Sequence, residues 1–89
     1  MGKLYHITPA FDRAFKRLKL REKDEVFELI SELRAWPDIP KSRNKEKLYD
    51  HDDGPVWSLR VNISLRIILQ IMKDNSFLLR AIGTHDEVY

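Results

Sequence analysis

Phe11, Ala14, Phe15 and Leu18 recur at i, i+3, i+4 and i+7, with Asp12, Arg13, Lys16 and Arg17 between them. That period is one apolar face of a helix. Thr8-Pro9 just before it is a start signal. The threonine oxygen can accept from a free amide, and proline at the first position lacks an amide that would go unpaired. Val26, Leu29, Ile30, Leu33 and Trp36 repeat the same period and predict a second helix over Glu22–Trp36. Glu22, Asp24 and Glu25 sit in its first turn, where the helix dipole favours them, and Pro37 and Pro40 close it. The short link between the two predicts a helical hairpin.

Elsewhere the period is two. Lys3–Ile7 reads as a short first strand. Lys41–Pro55 is polar and reads as a loop. Val56–Val61, Leu65–Met72 and Phe77–Thr84 read as three strands, the last two joined by the turn Lys73-Asp74-Asn75-Ser76. The register of the first hairpin follows from one-sided burial. A three-residue loop, Asn62-Ile63-Ser64, sets Val61 against Leu65, Leu59 against Ile67 and Trp57 against Leu69. A two-residue loop would set Leu59 against Arg66. The expectation is an α+β fold, β-α-α-β-β-β, with a helical hairpin packed on one face of a small, mostly antiparallel sheet.

The chosen register puts Arg60 opposite Arg66 on the face away from the helices. Like charges directly across a strand pair are destabilising, and a bound anion would remove the penalty. The plainer alternative is that both lie over solvent, or that Asp50 or Glu46 folds onto them. Arg80 joins them only in one of the registers open to the last turn. Trp57 falls on the buried face, and Trp36 too reads as core rather than as a base-stacking platform. His51-Asp52-Asp53 has ligand-type side chains, but neighbours in a polar loop seldom converge on one ion, so it reads as a solvated loop. The basic side of the first helix (Arg13, Lys16, Arg17, Lys19) reads as a solvated face or as a surface for RNA phosphates or an acidic partner.

Composition narrows the classes. With 89 residues and no cysteine, the chain is expected to be one domain, 1–89, with no disulfide or thiolate metal site. The longest apolar run, Ile67-Ile68-Leu69, is broken by Gln70, far short of a membrane span. A soluble, cytoplasmic protein with no membrane partner is expected. The net charge of +2 does not by itself demand nucleic acid, so the placement of the arginines carries that argument.

Three stretches resemble the RelE/ParE superfamily of toxins from type II toxin–antitoxin systems, in element order over essentially the whole chain. Lys47-Leu48 stands ahead of the first hairpin strand. Val56-Trp57-Ser58-Leu59-Arg60-Val61 with Leu65-Arg66-Ile67-Ile68 is similar to the family's hairpin. Gly83-Thr84-His85-Asp86-Glu87-Val88-Tyr89 is similar to its C-terminal ending. The resemblance implies an mRNA interferase of the RelE-like branch: an endoribonuclease that needs no metal or other cofactor and inhibits translation, generally on the ribosome. By that resemblance Arg66 stabilises the transition state and Arg60 holds a phosphate. Tyr89 stacks on a base or takes part in proton transfer, and His85 acts as acid or base. Glu46 falls near the carboxylate base of the YoeB-like branch, and Lys45 and Lys47 beside it contact RNA backbone. Ser58 stands where RelE-type members carry a strand lysine, so that position offers no lysine for proton transfer. The implied partners are a cognate antitoxin, mRNA and the ribosome, with operator DNA bound only through the antitoxin complex. A ParE-like gyrase poison, or a non-catalytic homologue acting by protein binding, is the alternative; the Gly83–Tyr89 ending argues against the gyrase poison.

Overall fold

A computed structural model describes residues 5–88. The first strand, β1 (Tyr5–Ile7), leads into helix α1 (Pro9–Lys16). The Thr8 side chain accepts from the Phe11 amide at 3.1 Å, the expected cap. Helix α2 covers Leu20–Glu32, and a single 3-10 turn, Leu33–Ala35, continues it. It begins two residues before the expected Glu22 because that glutamate reaches back, Oε1 accepting from the Lys19 amide at 3.0 Å. It ends early because Trp36 precedes a proline and is extended, with ψ of 135°, so the last turn tightens. The two helices meet through Phe15 and Phe27, edge to face at 5.5 Å.

Strands β2 (Glu46–His51), β3 (Gly54–Arg60), β4 (Arg66–Ile71) and β5 (Phe77–Gly83) follow, and a short helix, α3 (His85–Val88), comes after them. Among the described residues the sheet has five strands in the order β1-β5-β4-β3-β2, antiparallel except for the parallel pair β1–β5. Two elements depart from the expected order. β2 lies in the segment read as a loop, after a 3-10 turn at Lys41–Arg43. It is an edge strand with a register shift between Lys47 and Tyr49. Charged residues and a bulge protect such an edge and also hide its period of two. α3 takes up the residues just past the last expected strand, His85 among them.

Residues paired across strands share a face. The helix-side face carries Trp57, Leu59, Ile67, Leu69, Phe77, Leu79 and Ile82. Most of these pack with Phe11, Val26, Leu29 and Leu33 in one core. The hairpin register is the expected one: Leu59↔Ile67, Trp57↔Leu69 and Arg60↔Arg66 are partners, and the Val61 amide donates to the Leu65 carbonyl at 2.9 Å.

Arg43 fastens the end of β3. Its Nε and Nη2 donate to the two carboxylate oxygens of Glu32 at 2.7 and 2.9 Å, and Nη1 donates to the Val61 and Arg60 carbonyls. The Glu32 hydrogen bonds hold its pKa above the ordinary arginine value.

Candidate functional site

The sheet face away from the main core carries Glu46 and Ser58, partners across β2 and β3, and then Arg60 opposite Arg66. Ser58 is fully buried and Arg66 half-buried, with Arg66 Nη1 at 3.5 Å from Ser58 Oγ, the long end of hydrogen-bonding range. Two arginines are thus cross-strand partners on a face whose floor at Ser58 is closed to water. The Arg60 carbonyl is one of the two that Arg43 holds, so the backbone beneath this pair is fixed.

Further along β4, Gln70 is buried on the same face at 1% exposure. Arg80 Nη1 donates to its Oε1 at 2.7 Å. The facing of Arg80 was open in the sequence because it depends on a register shift. The Cα partners run Ile68↔Ala81 and then Leu69↔Leu79, so Arg80 is the extra residue of a bulge. A bulge re-aims a side chain locally, and here it sends Arg80 to the arginine face.

α3 brings the ending of the chain to the same place. Gly83 is the partner of Arg66. A Cβ at position 83 would stand 3.0 Å from Glu87 Cβ and 3.3 Å from Val88 Cγ1, so the glycine lets α3 settle on β5. The Thr84 amide donates to Glu87 Oε1 at 2.8 Å, and the Glu87 and Val88 amides donate to the Thr84 carbonyl. The Thr84 amide first, and the Thr84 side chain after it, hold the Glu87 carboxyl below its ordinary pKa. His85 opens the helix, exposed, with Nδ1 at 3.6 Å from Asp86 Oδ1. Tyr89 lies outside the described residues.

The other expected site residues lie elsewhere. Lys45 Nζ donates to the Pro37 carbonyl at 2.9 Å and stands 5.1 and 5.5 Å from the Trp36 and Trp57 ring centres. Lys47 is the partner of Trp57, on the helix side, and pairs with Asp50 at 2.7 Å. The structure therefore gathers Glu46, Arg60, Arg66 and Arg80 on one face, puts His85 beside it, and turns Lys45 and Lys47 to the other side. Sequence reasoning passed over Gln70 and Arg43. The signal for Gln70 was an amide inside an apolar strand; nothing local marked Arg43.

No protein-family model matches the chain, and no curated protein matches it. Solved structures do match, over nearly the full length. RelE of Pyrococcus horikoshii OT3, crystallised as a RelE–RelB complex, is 17% identical with a TM-score of 0.78, covering 94% of this chain and 96% of that one. YafQ of E. coli strain BL21(DE3) is 14% identical at 0.78, covering 99% of each. YoeB of Staphylococcus aureus, a dimer in its crystal, is 17% identical at 0.75, covering 96% and 99%. The chain has the RelE-like toxin fold. In this RelE-like fold the arginine face belongs to the central hairpin, and α3 closes one end of it.

Proposed function

We propose that this chain is the toxin of a type II toxin–antitoxin system, an endoribonuclease that cuts mRNA on the ribosome without a metal. One observation carries the reading: Arg60 and Arg66 are direct cross-strand partners over a buried floor, an arrangement that an anion stabilises. A guanidinium suits a phosphate because its planar fork bonds two oxygens at once and keeps its charge.

The chemistry is an intramolecular transfer. The 2′-hydroxyl oxygen attacks the adjacent phosphorus and the bond from phosphorus to the 5′-oxygen breaks. A base takes the 2′ proton and an acid supplies one to the leaving oxygen, giving a cyclic phosphate and a free 5′-hydroxyl. Arg66 stabilises the charge that grows on the phosphorane oxygens, while Arg60 and Arg80 hold phosphates. Glu46 and His85 are the groups able to move protons, and Tyr89 serves as stacking or proton-transfer partner. The antitoxin is the partner that holds the toxin in check. The outer edge of β1, unpaired among the described residues and beside the exposed Tyr5, Ile7 and Phe27, can receive it as an added strand. Phe27→Glu is then expected to spare toxicity and weaken rescue by the antitoxin; unchanged rescue would place the antitoxin elsewhere.

Inducible expression of the wild type and of Arg66→Ala, with growth and mRNA 5′ ends recorded, tests the reading. Arrest with new cuts at in-frame codon positions, lost in a folded Arg66→Ala, is the expected result. Arrest with intact mRNA would overturn it and favour a gyrase-poisoning or other protein-binding toxin, with the arginine pair as a docking surface.

A further inference from the structure

Gln70 is the one amide in the run Arg66-Ile67-Ile68-Leu69-Gln70-Ile71. A buried amide is costly unless both of its ends are bonded, and an apolar residue would pack the strand with no such requirement. Both ends are bonded here. Nε2 donates to the Gly54 carbonyl at 3.1 Å, and Oε1 accepts from Arg80 Nη1 at 2.7 Å. The carbonyl can only accept and the guanidinium can only donate, so the amide has a single allowed orientation.

The groups on either side of the amide are themselves fixed. Gly54 has φ of +138°, and a Cβ there would lie 1.8 Å from the Ile71 carbonyl oxygen, so only glycine fits where the start of β3 lies against the end of β4. At the far end, the bulge at Arg80 is pinned from beneath. Thr8 Oγ1 donates to the Arg80 carbonyl at 2.8 Å, and the Thr8 amide donates to the Leu79 carbonyl at 3.1 Å. Backbone and side chain of Arg80 are thus held by separate partners. Among the described residues, Arg80 makes no other side-chain hydrogen bond.

From this we infer that Gln70 is a positioning residue, whose buried amide aims the Arg80 guanidinium at a phosphate of the bound RNA, one further along the strand than the phosphate at Arg60 and Arg66. The inference rests on the ribonuclease reading above. Gln70 touches no substrate and acts only through Arg80. Gln70 is also the cross-strand partner of Val56, so the aim of Arg80 is referenced to β3, the strand that carries Arg60.

The test is a double-mutant cycle on cleavage of a defined mRNA in a reconstituted translation system, with kcat and KM measured separately. Gln70→Met keeps the length of the side chain, removes both bonds and adds no buried polar group, so it should still fold, which its unfolding midpoint checks. Its kcat/KM should fall about tenfold, since a small misplacement of a binding group costs that much or more. Arg80→Ala should fall at least as far, and the double variant no further than Arg80→Ala alone. A Gln70→Met protein as active as the wild type, or losses that multiply in the double variant, would overturn the positioning role while leaving the ribonuclease reading intact. A wild type that cuts no mRNA would overturn that reading and this inference with it. Should Gln70→Met fail to fold, Gln70→Leu takes its place in the same cycle. It too removes both bonds without adding a buried polar group, and its defect should likewise vanish once Arg80 is gone.

Discussion

At the scale of single residues, the ending of the chain hangs on one carboxylate. Glu87 accepts from the Thr84 amide and its pKa is depressed by that bond. The sign of the linkage follows. A carboxyl with a lowered folded pKa contributes its full share above the ordinary glutamate value, about 4.3, and loses it as pH falls through the folded value. The Thr84 amide resonance, followed by NMR through an acid titration, should therefore move with a midpoint below the usual glutamate range. A midpoint at or above that range would show that the bond does not hold α3 in solution. Asp74 is depressed for the same kind of reason: its carboxylate accepts from the hydroxyl and the amide of Ser76. There the bonds shape the turn between β4 and β5, where Asn75 takes the left-handed conformation with φ of 68°.

At the scale of elements, Arg43 ties the segment after α2 to the end of β3. It makes a two-pronged bond to Glu32 and caps two carbonyls, with 12% of its side chain exposed. Arg43→Ala should lower unfolding stability by about 2 kcal/mol, the range for bonds to a charged group that leave partners unpaired, and Arg43→Lys by less, since lysine keeps the charge without the fork. Urea denaturation measures both; an alanine variant within 0.5 kcal/mol of wild type, about the spread of ordinary surface substitutions, would mean the network is ornamental. The elements also divide by how they could be read from the chain. The β3–β4 register was legible because Leu59, Ile67, Trp57 and Leu69 are buried on one side only, and the Arg60–Arg66 pairing came with it. β2 was illegible because its stability comes from the ladder to β3 rather than from burial, and its bulge breaks the alternation. Asp53-Gly54, where the turn enters β3, was a usable hairpin signal. The face of Arg80 could not be deduced, because one extra residue in β5 decides it. α3 did leave a mark: Thr84-His85-Asp86-Glu87 has the spacing of a capping box, overshadowed by the strand that runs into it.

At the scale of the whole molecule, the net charge of +2 is small, so any hold on RNA depends on where the charges sit. Arg60, Arg66 and Arg80 share a face, while Lys45 and Lys47 are engaged on the other. Three phosphate contacts to a single strand predict that the logarithm of RNA affinity falls against the logarithm of salt concentration with a slope of about −2, and that Arg66→Ala reduces that slope by about 0.7. Fluorescence anisotropy with a short RNA reads both. A slope near zero, or one unchanged in Arg66→Ala, would remove the arginine face from RNA binding.

The same whole-molecule view gives the β1–β5 pairing a meaning in time. Every other pair in the sheet joins neighbours along the chain, through short turns that close cheaply. Tyr5↔Phe77 joins positions 72 apart. The four-stranded meander can assemble before β1 arrives, and until it does, the outer edge of β5 is bare, with Phe77 and Leu79 at hand to pair with any passing strand. Native-state hydrogen exchange should find the Thr8-to-Leu79 bond opening ahead of the central ladder; equal protection would mean the sheet closes in one step. On that order of assembly, the time for which the edge of β5 stays exposed is set by how fast β1 finds its place.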